Sequence, residues 1–266
     1  MAIPKFFHSI YGRKVGVNES GALRVPGGLL TGSNGGIYAS DSDHCAWFDD
    51  FLGDTLNATY TPLTGSDASG NVASVSILAG GINGVVRLAG ADSTGSMAAD
   101  GAQLAMYRNW RASNGGLVFE AKVALAVITN VSAFVGFTDK ITLEAAITSA
   151  ASADTITTNA TDGLGFFFDT SMTTKNWWIA GVANNVDATP QNTGFAPVAA
   201  TYETFRIEVS PAGNADFYRN GTQVGTRMAG AVTTSVALTP SLSIFPRTAA
   251  FGTQMDVDYL HVAQLR

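Results

Sequence analysis

The groups that could do chemistry in this 266-residue sequence are few: three histidines (His8, His44 and His261), a single cysteine (Cys45) and 21 carboxylates. Retaining cleavage of a glycosidic bond needs two carboxylates about 5 Å apart. Glu203 and Glu208 are five positions apart, so on a strand they point to opposite faces. Asp256 and Asp258 share a face but read as solvent-side residues. A Ser-His-Asp arrangement is formally available, yet no Gly-x-Ser-x-Gly elbow accompanies it, and His261 reads as structural. Asp41, Asp43, His44, Cys45, Asp49 and Asp50 form a dense group of potential metal ligands. Their spacing matches neither a zinc site nor an EF-hand, and a polar junction is the simpler reading. Trp177, Trp178, Trp110 and Tyr218 could stack on sugar rings, although alternation sends Trp177 and Trp178 to opposite faces and leaves at most one exposed. The expectation is therefore no catalytic residue, no metal ligand, no cofactor and no enzymatic activity.

A different kind of chemistry sits at the start of the chain. Lys5, Phe6, Phe7, Ile10, Tyr11, Arg13 and Lys14 mix aromatic anchors with positive charge, a combination suited to docking on an acidic, grooved surface. Lys5, Arg13, Lys14 and Arg24 against Glu19 leave residues 1–40 at +3, while the whole chain carries −6, so the remainder stands at −9. Residues 1–46 are also glycine-rich and lack a sustained period of 2 or 3.6, which predicts an extended arm. A body from residue 47 to 266 follows.

The elements of that body announce themselves as strands. Val75 and Ile77 alternate with Ser74 and Ser76 before Asn83-Gly84, and Val85 to Leu88 resumes as the second half of a hairpin. Gln103 to Tyr107, Leu117 to Ile128 and Ala133 to Phe137 come next and are expected to pair antiparallel. Ile141 to Ala153 is equally readable as a short helix or as loop. Gly163 to Phe168 and Trp177 to Val182 are compact apolar runs, read as buried strands. In Thr204 to Val209, Phe205, Ile207 and Val209 share one face. Asn220-Gly221 then signals a type I′ hairpin, with Arg219 opposite Thr222, Tyr218 opposite Gln223 and Phe217 opposite Val224. Leu242 to Phe245 and Met255 to Val262 close the domain, with Asp256 and Asp258 alternating with Met255, Val257 and Tyr259.

Composition agrees with strands and turns: 46% of residues are hydrophobic, only 14% are charged, and 29 are glycine. An acidic chain does not suit broad nucleic-acid binding, which draws on basic surface. No run of 18 apolar residues predicts a membrane span, and residues 1–11 lack a signal-peptide core, so synthesis in the cytoplasm is expected. One cysteine excludes an internal disulfide framework.

Tyr202-Glu-Thr-Phe-Arg-Ile-Glu-Val209 followed by Asn214-Ala-Asp-Phe-Tyr-Arg-Asn-Gly-Thr-Gln-Val224 resembles the strand, turn and hairpin of concanavalin-like, laminin-G-like sandwiches. Gly163-Leu-Gly-Phe-Phe-Phe-Asp169 and Val257-Asp-Tyr-Leu-His-Val262 are similar to further strands of that fold. The resemblance implies an all-β, antiparallel jelly-roll β-sandwich. Glycosidases of this class carry a Glu-x-Asp-x-x-Glu strand or a close variant, which the sequence lacks. The arm, with His8-Ser-Ile-Tyr-Gly12 ahead of a Gly/Ser/Thr/Ala-rich sandwich, resembles virion structural proteins of tailed bacteriophages. That likeness implies a capsid decoration or cement protein on the virion exterior, made in the bacterial host. Its partners would be the major capsid protein and further copies of itself, as a dimer or trimer, with no nucleic acid and no membrane. The alternative it leaves open is a carbohydrate-binding module of a tail fibre or spike that contacts host glycans.

Overall fold

The structure, a computed structural model, describes residues 44–66, 70–81, 83–91, 100–143, 154, 156–247 and 253–266, and within residues 1–43 the backbone of short strands. Contacts divide the chain into two compact units, Met1–Ala46 with Arg266, and Trp47–Leu265. In the first, β1 (Phe7–His8), β2 (Lys14–Val17) and β3 (Leu23–Arg24) form an antiparallel sheet in that order, and β4 (Leu30–Thr31) pairs with β5 (Ile37–Tyr38).

The second unit is the sandwich. Its strands are β6 (His44–Asp49, which begins in the first unit), β7 (Tyr60–Thr64), β8 (Ser74–Ile77), β9 (Val86–Ala89), β10 (Ala102–Met106) and β11 (Leu117–Leu125). There follow β12 (Val131–Thr138), β13 (Gly163–Asp169), β14 (Trp178–Ala183), β15 (Val186–Asp187), β16 (Gln191–Asn192) and β17 (Glu203–Val209). The last are β18 (Ala215–Arg219), β19 (Thr222–Met228), β20 (Thr239–Pro246) and β21 (Gln254–Leu265). Sheet I runs β15-β14-β13-β12-β20-β10-β7, with β16 also on β14. Sheet II runs β19-β18-β17-β11-β21-β9-β8, with β6 on β21. This is the antiparallel jelly-roll sandwich that the sequence predicts.

One pairing expectation is corrected. Strands β10, β11 and β12 are neighbours in sequence but not in space: β10 lies between β20 and β7, β11 between β17 and β21, and β12 between β13 and β20. Successive strands cross between sheets because each sheet must cover the apolar face of the other.

The core is that shared interior. Phe119 of sheet II meets Phe137 of sheet I edge-on at 5.6 Å, Phe166 packs on Phe205 and Phe217 at 4.7 and 5.5 Å, and Trp177 packs on Phe205 at 4.6 Å. All of these rings are buried. Truncating one of them to alanine removes a large apolar contact and costs about 3–5 kcal/mol.

Two local devices set the register of sheet II. At the tip of β18 and β19, Asn220 and Gly221 take φ of 49° and 77°, the left-handed pair of a type I′ turn, which only glycine and asparagine adopt readily. The pairs Arg219 with Thr222, Tyr218 with Gln223 and Phe217 with Val224 follow as expected. On β21 a bulge opposite Lys122 and Val123 shifts the pairing, so Lys122 faces Tyr259 while Val123 faces Val257. Two consecutive residues, Asp258 and Tyr259, therefore point outward, and the inward set changes from Met255 and Val257 to Leu260 and Val262. Simple alternation places Tyr259 with the core residues Met255 and Val257; the bulge corrects this.

The free edge of β19 is closed by a side chain. The Gln191 amide donates to the Thr226 carbonyl at 3.1 Å and its Oε1 accepts from the Thr226 N–H at 2.7 Å, so one glutamine imitates a passing strand. The alternative helix at Ile141 to Ala153 falls on residues 144–153, outside the described residues.

Candidate functional site

The sandwich presents two outer sheet faces, and they differ in kind. On sheet I the register aligns Gln103, Ser241, Ser243, Ser132 and Phe134 on the outward side. Gln103, Ser241 and Ser243 are nevertheless 0% exposed and Ser132 only 3%, so a polar row is buried on a face that alternation alone would leave wet. Gln103 Nε2 donates to Ser241 Oγ at 3.1 Å, while Gln103 Oε1 and Ser243 Oγ have no hydrogen-bond partner among the described residues. Beside the row, Phe134, Phe167, Met172, Trp178 and Ala180 pack into a second apolar cluster with Ile156 against it. Both tryptophans expected to compete for one exposed position are thus buried, Trp177 in the interior and Trp178 in this outer cluster, and Trp110 is 5% exposed. The sugar-stacking platform of Trp177, Trp178, Trp110 and Tyr218 does not form.

Two buried ion pairs frame the sandwich. Asp169, 0% exposed at the end of β13, accepts from Arg247 Nε at 2.7 Å and again from its Nη2, and also from the Ser171 N–H and hydroxyl. Burial lowers the Arg247 guanidinium to about 10. At the other pair, Glu203 accepts from Trp177 Nε1 at 2.9 Å and from Arg219 Nε at 2.6 Å, and the Arg219 guanidinium lies 4.7 Å from the centre of the Phe195 ring. Sequence reading separates Glu203 from Glu208 correctly but does not find this pair. The hairpin register carries the signal, since Arg219 faces Phe205 and Glu203 is the next residue on the same face.

The outer face of sheet II is open and laced with charges. Arg87 grips Asp256 through two bonds of 2.7 and 2.8 Å, and Lys122 binds Asp258. Arg206 holds two carboxylates at once, Glu120 at 3.1 Å and Glu208 at 2.8 Å. Tyr259, turned outward by the bulge, donates to Glu120 at 2.8 Å and stacks on Phe48 at 5.9 Å. Burial, helped by Glu120, lifts its phenol to about 12. Phe48 also lies 6.4 Å from His261, whose imidazole burial holds below its ordinary range. Asp256 and Asp258 are thus on the solvent side, each in an ion pair.

Among the described residues no three His, Cys, Asp or Glu side chains stand close enough to hold a metal; Asp41 and Asp43 of the junction group lie outside them. The docking residues Lys5, Phe6, Phe7, Ile10, Tyr11, Arg13 and Lys14 also lie outside the described residues, apart from the backbone pairing of Phe7 with Val15 and His8 with Lys14.

The fold and its faces define a concanavalin-like jelly-roll sandwich. No family model matches the sequence, and no curated protein matches it. Solved structures do. A laminarinase from Rhodothermus marinus is similar at a TM-score of 0.55 and 10% identity, covering 83% of this chain and 96% of that one. A glycoside hydrolase family 16 endo-glucanase from Bacteroides ovatus is similar at 0.54 and 11% identity, covering 81% and 99%. A protein of unknown function from Shewanella oneidensis MR-1 is similar at 0.51 and 14% identity, covering 86% and 89%. These likenesses define the fold. They also correct the expectation that the chain is no enzyme, since glucanases and a laminarinase share this architecture.

Proposed function

We propose that the protein is a structural component of a tailed-phage particle, a decoration protein of the capsid exterior. The N-terminal residues would dock on the major capsid protein, and the sandwich would form the outward body. The observation that carries this reading is the partition of the chain into two compact units, Met1–Ala46 and Trp47–Leu265, with residues 1–46 at +1 and residues 47–266 at −7. A small cationic, aromatic unit attached to a larger acidic body suits a partner with acidic grooves, because charge complementarity steers and orients the encounter. Binding only the assembled shell would draw the equilibrium away from disassembly by mass action. Closed symmetry would favour association of the bodies as dimers or trimers.

The test is co-sedimentation of the purified protein with particles that lack it. Reversing Lys5→Glu, Arg13→Glu and Lys14→Glu together should abolish occupancy, and binding by the unaltered chain should weaken as salt rises. Full occupancy by the triple variant would overturn the docking role.

A second reading, a glycan-directed protein, is favoured by the likeness of the sandwich to structures described as glucanases and a laminarinase. Release of reducing ends from laminarin or mixed-linkage glucan by the purified chain, or selective binding on a glycan array, would establish it in place of the first.

A further inference from the structure

Where β6 ends, the chain makes an unusual turn. Phe51, a bulky residue, adopts φ of 55° and is only 2% exposed. A left-handed backbone at such a residue costs on the order of 1–3 kcal/mol and persists only where its surroundings impose it. Here they do. The Phe51 N–H donates to Asp49 Oδ1 at 2.8 Å, and its ring packs 5.7 Å from Tyr60. The Tyr60 hydroxyl in turn accepts from Trp47 Nε1 at 3.1 Å. Gly84, at φ 73°, lies so close to Asp50 and Phe51 that any side chain there would collide with their backbone. The turn is held from three sides, and beside it opens a cleft of about 300 Å³ lined by Asp49, Phe51, Thr55, Leu56, Asn57 and Ile77.

We propose that this cleft binds one sugar residue or a polyol of similar size. Its volume lies at the lower end of small-ligand sites, which suits a single ring. Its lining is divided as such a ligand requires. Leu56 and Ile77 offer apolar contact for C–H groups, while the Asp49 carboxylate, the Thr55 hydroxyl and the Asn57 amide offer hydrogen-bonding groups for hydroxyls. The strained turn brings Asp49 and Phe51 to the same cleft. All six residues belong to the Trp47–Leu265 unit.

The experiment is an NMR titration of the full chain with glucose, galactose, N-acetylglucosamine and glycerol, following backbone amides. At least one of them should move Thr55, Leu56, Asn57 and Ile77 in a saturable way. Leu56→Trp, which fills the cleft, should abolish the response while leaving the thermal midpoint in place. Thr55→Val, which removes one hydroxyl, should weaken binding by about tenfold, the worth of a single hydrogen bond of about 1.4 kcal/mol. No saturable shift with any of the four, or a shift that survives unchanged in Leu56→Trp, would overturn the proposal.

Discussion

The two outer faces of the sandwich start from the same rule and reach opposite results. Both sheets alternate inward and outward residues, but on sheet II the outward set is charged, paired and wet, whereas on sheet I it is small, polar or aromatic and buried. A charge can remain on a face only where water or a partner meets it. Sheet II therefore carries half-buried, solvent-facing pairs such as Arg87 with Asp256, while the buried Asp169 carries an arginine of its own. The distinction is energetic: exposed pairs contribute little, and removing one member of a buried pair strands a charge.

The sharpest way to break the comparison is Arg247→Met, which leaves the Asp169 carboxylate buried without its main partner. We expect a loss of about 3–5 kcal/mol in urea unfolding; a loss under about 1 kcal/mol would place this pair with the exposed ones. Arg206→Met on sheet II, which releases Glu208 into solvent and leaves Glu120 with Tyr259, should cost no more than about 1 kcal/mol, shrinking further in high salt. A cost equal to that of Arg247→Met would erase the difference between the faces. The smallest effect concerns pH. Because burial depresses the His261 imidazole, the unfolded chain binds that proton first as pH falls. The stability due to neutral His261 is complete above about pH 6.5 and declines below it towards the lower folded value. Melting temperatures at about pH 7.5 and 5.5 should differ less in His261→Gln than in the unaltered protein, by about 1–2 °C.

The same contrast governs what was legible in the sequence. Strands of sheet II read cleanly because one face is wet: Phe205, Ile207 and Val209 against Arg206 and Glu208, and the hairpin at Asn220-Gly221, appear in the structure with the expected register. Strands of sheet I, such as Gly163–Asp169 and Val131–Thr138, are buried along their whole length, so alternation could not say which side met the core. Alternation left one of Trp177 and Trp178 free to be exposed for that reason, whereas a second apolar cluster covers Trp178. Tyr259 was misplaced because a bulge leaves no mark in a period of two. The Asp169 and Arg247 pair was invisible because the two residues are 78 positions apart and meet only once β12 lies between β13 and β20. The cleft at Asp49 was unreadable because it depends on the backbone angle of Phe51, which no residue type advertises.

The glutamine that closes β19 has a consequence for a crowd of molecules. An unpaired strand edge is a template on which another chain can add, and repeated addition makes fibres. Gln191 already occupies both the donor and the acceptor of Thr226, so a strand arriving from a neighbour finds that rung taken. Copies held side by side at high density would therefore resist fusing along this edge, and losing one side chain, as in Gln191→Ala, would open a growth point for aggregation.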